Sequence, residues 1–172
     1  AIDGDENKWI ASGGGLVKYD GSEWFVYDTS NSGIPENYAT GIVIDKEENK
    51  WIKIGDGFGP FLGVVKFDGN DWTVYNTSNS VLPNNWIGAI TAQGNGNVWI
   101  GTRGGGLAKF DGINWTIYNT ANSGLQHNDV TAIVFDENGK MYVGTGGGLA
   151  IYNGTDWAVY NTSNSGLPDN WI

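Results

Sequence analysis

Several aromatic side chains recur where they could grip a sugar. Tyr38, Trp86, Asp129 and Trp171 occupy equivalent places in a repeated pattern, each just ahead of an innermost strand of the expected fold. Sugars lay their C–H faces on aromatic rings and offer hydroxyls to carboxylates, so this series suits a glycan. The competing role for the same rings is packing between neighbouring sheets. Phe58 and Phe61 lie in an insertion, Ile54 to Phe61, that stretches the step from Trp51 to Phe67 to 16 residues, against 11 from Trp99 to Phe110. Flanked by glycine, these rings either meet a sugar or a partner or tuck against an adjacent sheet. Arg103 stands where the other units carry Gly or a residue of the insertion, and it is expected on the same face as His127. In an acidic chain its guanidinium can pair with a ligand carboxylate or sulfate, or else pair locally and stay solvated. Together these residues form the candidate ligand site.

Composition excludes other chemistries. The 172 residues include no Cys and one His, so thiolate sites, cysteine nucleophiles and multi-histidine metal centres are ruled out. Nine basic against 19 acidic residues give a net charge of −10, which argues against nucleic acid as a partner. No apolar run reaches the ~18 residues of a membrane helix. The triple glycines Gly13-Gly14-Gly15, Gly104-Gly105-Gly106 and Gly146-Gly147-Gly148 precede strands, so no helix terminus follows to receive a phosphate. Their expected role is close backbone approach and positive φ. Asp3-Gly4-Asp5-Glu6-Asn7 superficially resembles a calcium loop, but Asp45-Lys46-Glu47 and Gln93-Gly94-Asn95 do not preserve it, and a hairpin turn is expected instead. No carboxylate pair is placed for glycosidase chemistry. Neither a catalytic residue, a metal nor a cofactor is therefore nominated.

The elements that must position these residues come from a fourfold repeat. Trp24, Trp72, Trp115 and Trp157 return at spacings of 48, 43 and 42. Each follows a turn such as Phe110-Asp111-Gly112 and precedes a near-constant run such as YNTSNSG from Tyr160. A second series, Trp9, Trp51, Trp99 and Tyr142, marks another strand. The units run approximately 1–42, 43–90, 91–133 and 134–172. Val130 to Phe135, Met141 to Thr145, Leu149 to Tyr152 and Trp157 to Tyr160 read as four short strands, with Gly139 taking positive φ in the first turn. Short strands at a period near 43 predict an all-β propeller of four four-stranded blades. The asparagine-rich links are expected to cap their own backbone.

The chain ends align within the innermost strand of a blade. Ala1-Ile2-Asp3 matches Val43-Ile44-Asp45, and Trp171-Ile172 matches Trp86-Ile87. Three expectations follow: a fragment of a longer propeller, two copies completing an eight-bladed ring, or closure of four blades. Any open arc leaves exposed blade faces, so a homodimer or other self-association through blade edges is expected.

The run W-I-G-T-x-G-G-G-L-x-x-F-D-G-x-x-W-T-x-Y-N-T-x-N-S-G-L, best seen from Trp99 to Leu125, resembles the two-component regulator propeller repeat. The resemblance extends over all four units. It implies bacterial extracytoplasmic sensor blades, and with them an extracellular or periplasmic location and a non-catalytic module that binds a carbohydrate or protein on its loop face. A structural scaffold without a small ligand is the alternative, and a polysaccharide lyase or hydrolase the third.

Overall fold

The computed structural model describes residues 1–55 and 61–172. Among them every regular element is a β-strand. The first sheet contains β1 (Lys8–Ser12), β2 (Gly15–Tyr19) and β3 (Trp24–Tyr27). The second runs through β4 (Ala39–Ile44), β5 (Lys50–Ile54), β6 (Val64–Phe67) and β7 (Trp72–Tyr75). The third holds β8 (Ile87–Ala92), β9 (Val98–Thr102), β10 (Gly106–Phe110) and β11 (Trp115–Tyr118). The fourth holds β12 (Val130–Phe135), β13 (Met141–Thr145), β14 (Gly148–Tyr152) and β15 (Trp157–Tyr160). Each sheet is an antiparallel meander whose spatial order follows the chain. This is the expected propeller, with one difference of detail. In the first blade the innermost strand is reduced to a single bridge, Ile2 to Lys8.

Side-chain alternation assigns each strand to two wedges at once. On β5, Trp51 enters the wedge towards the third blade with Ile87, Ile100 and Phe110, while Ile52 faces the first blade with Trp9 and Leu16. The third wedge gathers Trp99, Leu107 and Leu125 from one blade with Val130, Met141 and Val143 from the next. A tryptophan anchors each wedge. Trp51 stacks on Tyr75 of its own blade at 5.6 Å and tilts against Phe110 of the next at 5.4 Å. Trp9 and Trp99 repeat the arrangement with Tyr27 and Phe67, and with Tyr118 and Phe135.

The polar edge of each ring is tied down. Trp9 Nε1 donates to Asp3 Oδ2 and Trp51 Nε1 to Asp45 Oδ2, both at 2.7 Å. Trp99 Nε1 donates to Gln93 Oε1 at 3.2 Å. The acidic turns are thus hairpins, as expected. Asp45 also accepts from the backbone N–H of Glu47 and Asn49 and from the Asn49 amide. Asp3 does the same with Asp5 and Asn7. The fourth position of the turn has positive φ, at Glu6 (64°), Glu48 (65°), Gly96 (93°) and Gly139 (78°).

Two further devices recur. The glycine opening each third strand has positive φ, at Gly15, Gly63, Gly106 and Gly148. A Cβ there would lie 2.1–2.3 Å from the carbonyl oxygen of Tyr27, Tyr75, Tyr118 or Tyr160, so no other residue fits. In the links, Asn76 accepts from Ser78 and Ser80, and Asn79 returns its amide to Val74 O. The links at 28–32, 119–123 and 161–165 repeat most of these self-capping bonds.

Asp3 supplies a pH test. Burial raises its pKa, but bonds from Trp9 and Asn7 and the charge of Lys50, 3.7 Å away, outweigh burial and lower it to about 2. A carboxylate depressed on folding adds stability above its unfolded pKa of 3.8, and that contribution is lost as pH falls through about 2. Asp3→Asn should therefore lower the melting temperature at pH 6 and flatten its fall between pH 4 and 2, measured by circular dichroism.

Candidate functional site

The innermost strands decide what reaches the channel mouth. β8 packs against both β4 and β12, so these strands stand side by side about the axis. Each carries a bulge near its start, between Ala39 and Gly41, Ile87 and Ala89, and Val130 and Ala132. The extra residue bends the strand and re-aims nearby groups. The residue preceding each strand is held by a backbone bond to its own blade: Gly55 N to Tyr38 O, Arg103 N to Trp86 O, and Gly146 N to Asp129 O.

From these anchors the side chains lean over the loop between the second and third strands of the preceding blade. Tyr38 lies against Gly13, Asp129 near Gly104, and Trp171 with His127 against Gly146. Trp86 meets Phe61, and the two rings stack at 4.5 Å with their planes 12° apart. Tyr38, Trp86 and Trp171 remain 44%, 40% and 55% exposed, so they are surface platforms rather than core. Arg103 links two of them. Its Cζ lies 5.1 Å from the Trp171 ring centre and 5.9 Å from that of Trp86, within cation–π range. His127 Nδ1 accepts from Asp129 N at 3.0 Å and lies 3.8 Å from Asp129 Oδ2.

The fold therefore gathers Phe61, Trp86, Arg103 and Trp171, with His127 and Asp129 beside Trp171 and Tyr38 apart over the first blade. Phe58 lies outside the described residues.

A further residue, Lys53, emerges only from the structure. It stands where the other blades carry Ala11, Gly101 and Gly144, and that mismatch was the signal available in the sequence. Its Nζ reaches Gly88 O at 3.4 Å. Lys53, Thr40, Ile54, Gly55, Phe61, Trp86 and Ile87 line a cavity of about 200 Å³. A second hollow of about 170 Å³ opens between the third and fourth blades beside Gln93, Asn97 and Trp99. Its polar groups already bond one another: Gln93 accepts from both Asn97 and Trp99. The channel-mouth site differs in leaving a buried Arg103 Nε without a partner among the described residues.

Known proteins agree with this architecture. Residues 81–104 and 124–147 match the two component regulator propeller model, so the chain carries repeats of that kind. The matched segments include Trp86, Arg103, His127 and Asp129. Among solved structures, the chain is similar to a domain described as the extracellular part of a hybrid two component system from B. thetaiotaomicron. The identity is 25% and the TM-score 0.76, covering 98% of this chain and 23% of that one. PorZ, a surface component of the type-IX secretion system of Porphyromonas gingivalis, aligns at 22% identity and TM-score 0.69, over 100% of this chain and 28% of that one. Virginiamycin B lyase from Staphylococcus aureus aligns at 12% identity and TM-score 0.70, over 98% and 55%. The chain thus spans about a quarter of the first two and about half of the third. The last two likenesses establish the fold alone, and that fold hosts an enzyme as well as surface and sensor proteins. No curated protein is significantly similar in sequence. No helix is long and apolar enough to cross a membrane among the described residues.

Lys53 is held in tension. Burial, and then the charge of Arg103, lower its ammonium pKa below the usual 10.5. A base whose pKa falls on folding costs stability at every pH below that lowered value. Lys53→Met keeps the stem and removes the charge. It should raise the melting temperature at pH 7 by a few degrees, an effect that shrinks as pH approaches 10.5.

Proposed function

We propose that this arc of regulator-propeller repeats is a non-catalytic recognition module that binds a carbohydrate on the loop face. The observation that carries the proposal is the pair of exposed tryptophans, Trp86 and Trp171, standing on either side of Arg103. The half-exposed Trp171 offers a flat apolar face for sugar C–H groups, Trp86 adds the part of its ring that Phe61 leaves uncovered, and the guanidinium between them offers donors to hydroxyls or acids. A protein partner would use the same face through the same rings. The likeness to an extracellular sensor domain supports an extracellular or periplasmic setting.

Binding to a glycan array, followed by calorimetry on the best hit, tests this. Trp86→Ala and Trp171→Ala should each weaken binding by roughly tenfold or more, equivalent to ~1.4 kcal/mol, while the far-ultraviolet spectrum is unchanged. Binding that survives both changes would reject the site.

Self-association is the second part of the proposal. Trp24 is 63% exposed on the first blade, with Ile10, Phe25 and Val26 also exposed. Its counterparts Trp72, Trp115 and Trp157 are half-buried. The fourth blade exposes Val134, Tyr160 and Ile172. Blade faces of this kind are covered by another blade elsewhere in the arc, and a second copy can supply one. Light scattering should give about 37 kDa, twice the 18.5 kDa chain, and a persistent monomer at high concentration would refute the dimer.

A further inference from the structure

Arg103 is the single arginine of the chain, and its Nε is buried without a hydrogen-bond partner among the described residues. Lys53 approaches the same point. Both converge on Gly88: Lys53 Nζ reaches its carbonyl at 3.4 Å, and a Cβ built on Gly88 would lie 3.7 Å from Arg103 Nε. We propose that Lys53 and Arg103 form a receptor for one oxyanion, a carboxylate or sulfate carried by the bound carbohydrate. This proposal rests on the reading of the loop face as a glycan site and names the class of glycan.

Three observations support it. First, acidic residues outnumber basic ones 19 to 9, yet among the described residues no carboxylate pairs with either cation. Asp129, a described acid near this point, lies with its carboxylate 3.8 Å from His127. Two cations that no described carboxylate compensates, brought together in an acidic protein, leave a place for an anion, because a buried donor without a partner costs free energy that a ligand can restore. Second, folding does not require Lys53, since the other blades close with Ala11, Gly101 and Gly144 at its position. Burial and repulsion by Arg103 both disfavour its charge. Third, the size fits. The cavity of about 200 Å³ beside Lys53 and Trp86 falls below the ~300 Å³ at which pockets for whole ligands begin, so it admits one group of a larger molecule. The two indoles restrain the guanidinium plane and so fix the direction of its donors.

The single arginine provides an unambiguous probe. In a proton–nitrogen correlation spectrum of the 172-residue chain, one Nε–H signal belongs to Arg103. Inorganic sulfate should move that signal, and Lys53→Met should abolish the movement. A uronic-acid oligosaccharide should move it too and bind roughly tenfold tighter than its carboxyl-reduced counterpart. In Lys53→Met and in Arg103→Gln, each judged separately, the two sugars should bind alike. Equal binding of both sugars to the unaltered chain would overturn the anion receptor and leave glycan recognition standing. Movement by sulfate with no binding of either sugar would overturn the carbohydrate as its source and assign the cations to a free anion. A signal left in place by both sulfate and uronate would overturn the receptor altogether.

Discussion

A four-stranded antiparallel blade has two faces and can bury neither by itself. Everything else in this chain depends on that constraint. The space between two radiating blades widens outward, and large flat rings fill such a wedge better than aliphatic chains do. Trp9, Trp51 and Trp99 each take that place, touching aromatics from two blades. An indole so buried still carries an N–H that must be satisfied. Asp3, Asp45 and Gln93 meet the need from the preceding turn, using the same side chains that order the turn backbone. One residue thereby couples a hairpin to the packing of its wedge, and the coupling explains why the turn recurs with the ring. Tyr142 varies the theme, donating its hydroxyl to Asp136 at 3.4 Å.

The same geometry separates self-bonded links from a mouth whose side chains vary. Outer strands and links satisfy themselves through Asn, Ser and Thr side chains that bond their own backbone. The channel mouth is built differently. There a bulge opens β4, β8 and β12, the preceding residue projects, and its identity changes from Tyr38 to Trp86 to Asp129 while its backbone bond stays the same. A constant scaffold bearing variable side chains is the arrangement that recognition sites use. Lys53 and Arg103 are two places where the repeat is broken towards positive charge, and both fall at this mouth. Elements optimised only for packing would carry the small residues seen in the sister blades.

The apolar faces at the two ends of the arc follow from the wedge principle as well. Trp24 has the same partner in its own blade, Tyr19 at 4.4 Å, that Trp72 has in Phe67 at 4.2 Å. It differs in lacking a neighbour such as Tyr27 and Gly33, against which Trp72 lies. Its exposure thus reflects the lack of a second packing partner among the described residues rather than any local peculiarity.

Most of the fold was legible in the residues alone. Recurring Trp, Asp-Gly and NTSNSG patterns encode short strands, turns and their period, because turn chemistry and side-chain alternation act over a few residues. The positive φ of Gly139 and the close approach at Gly106 and Gly148 were legible for the same reason. The equivalence of Tyr38, Trp86, Asp129 and Trp171 was legible from alignment of the units, although Tyr38 stands apart from the others over the first blade. Their partners were not. The stack of Phe61 on Trp86 and the seat of Arg103 between two indoles join side chains from different blades, at distances set by inter-blade packing. Lys53 looked like one more lysine on a strand. Only the tertiary structure brings it to Gly88 beside Arg103, because the curvature of neighbouring inner strands, which no local pattern records, determines which side chains share the channel.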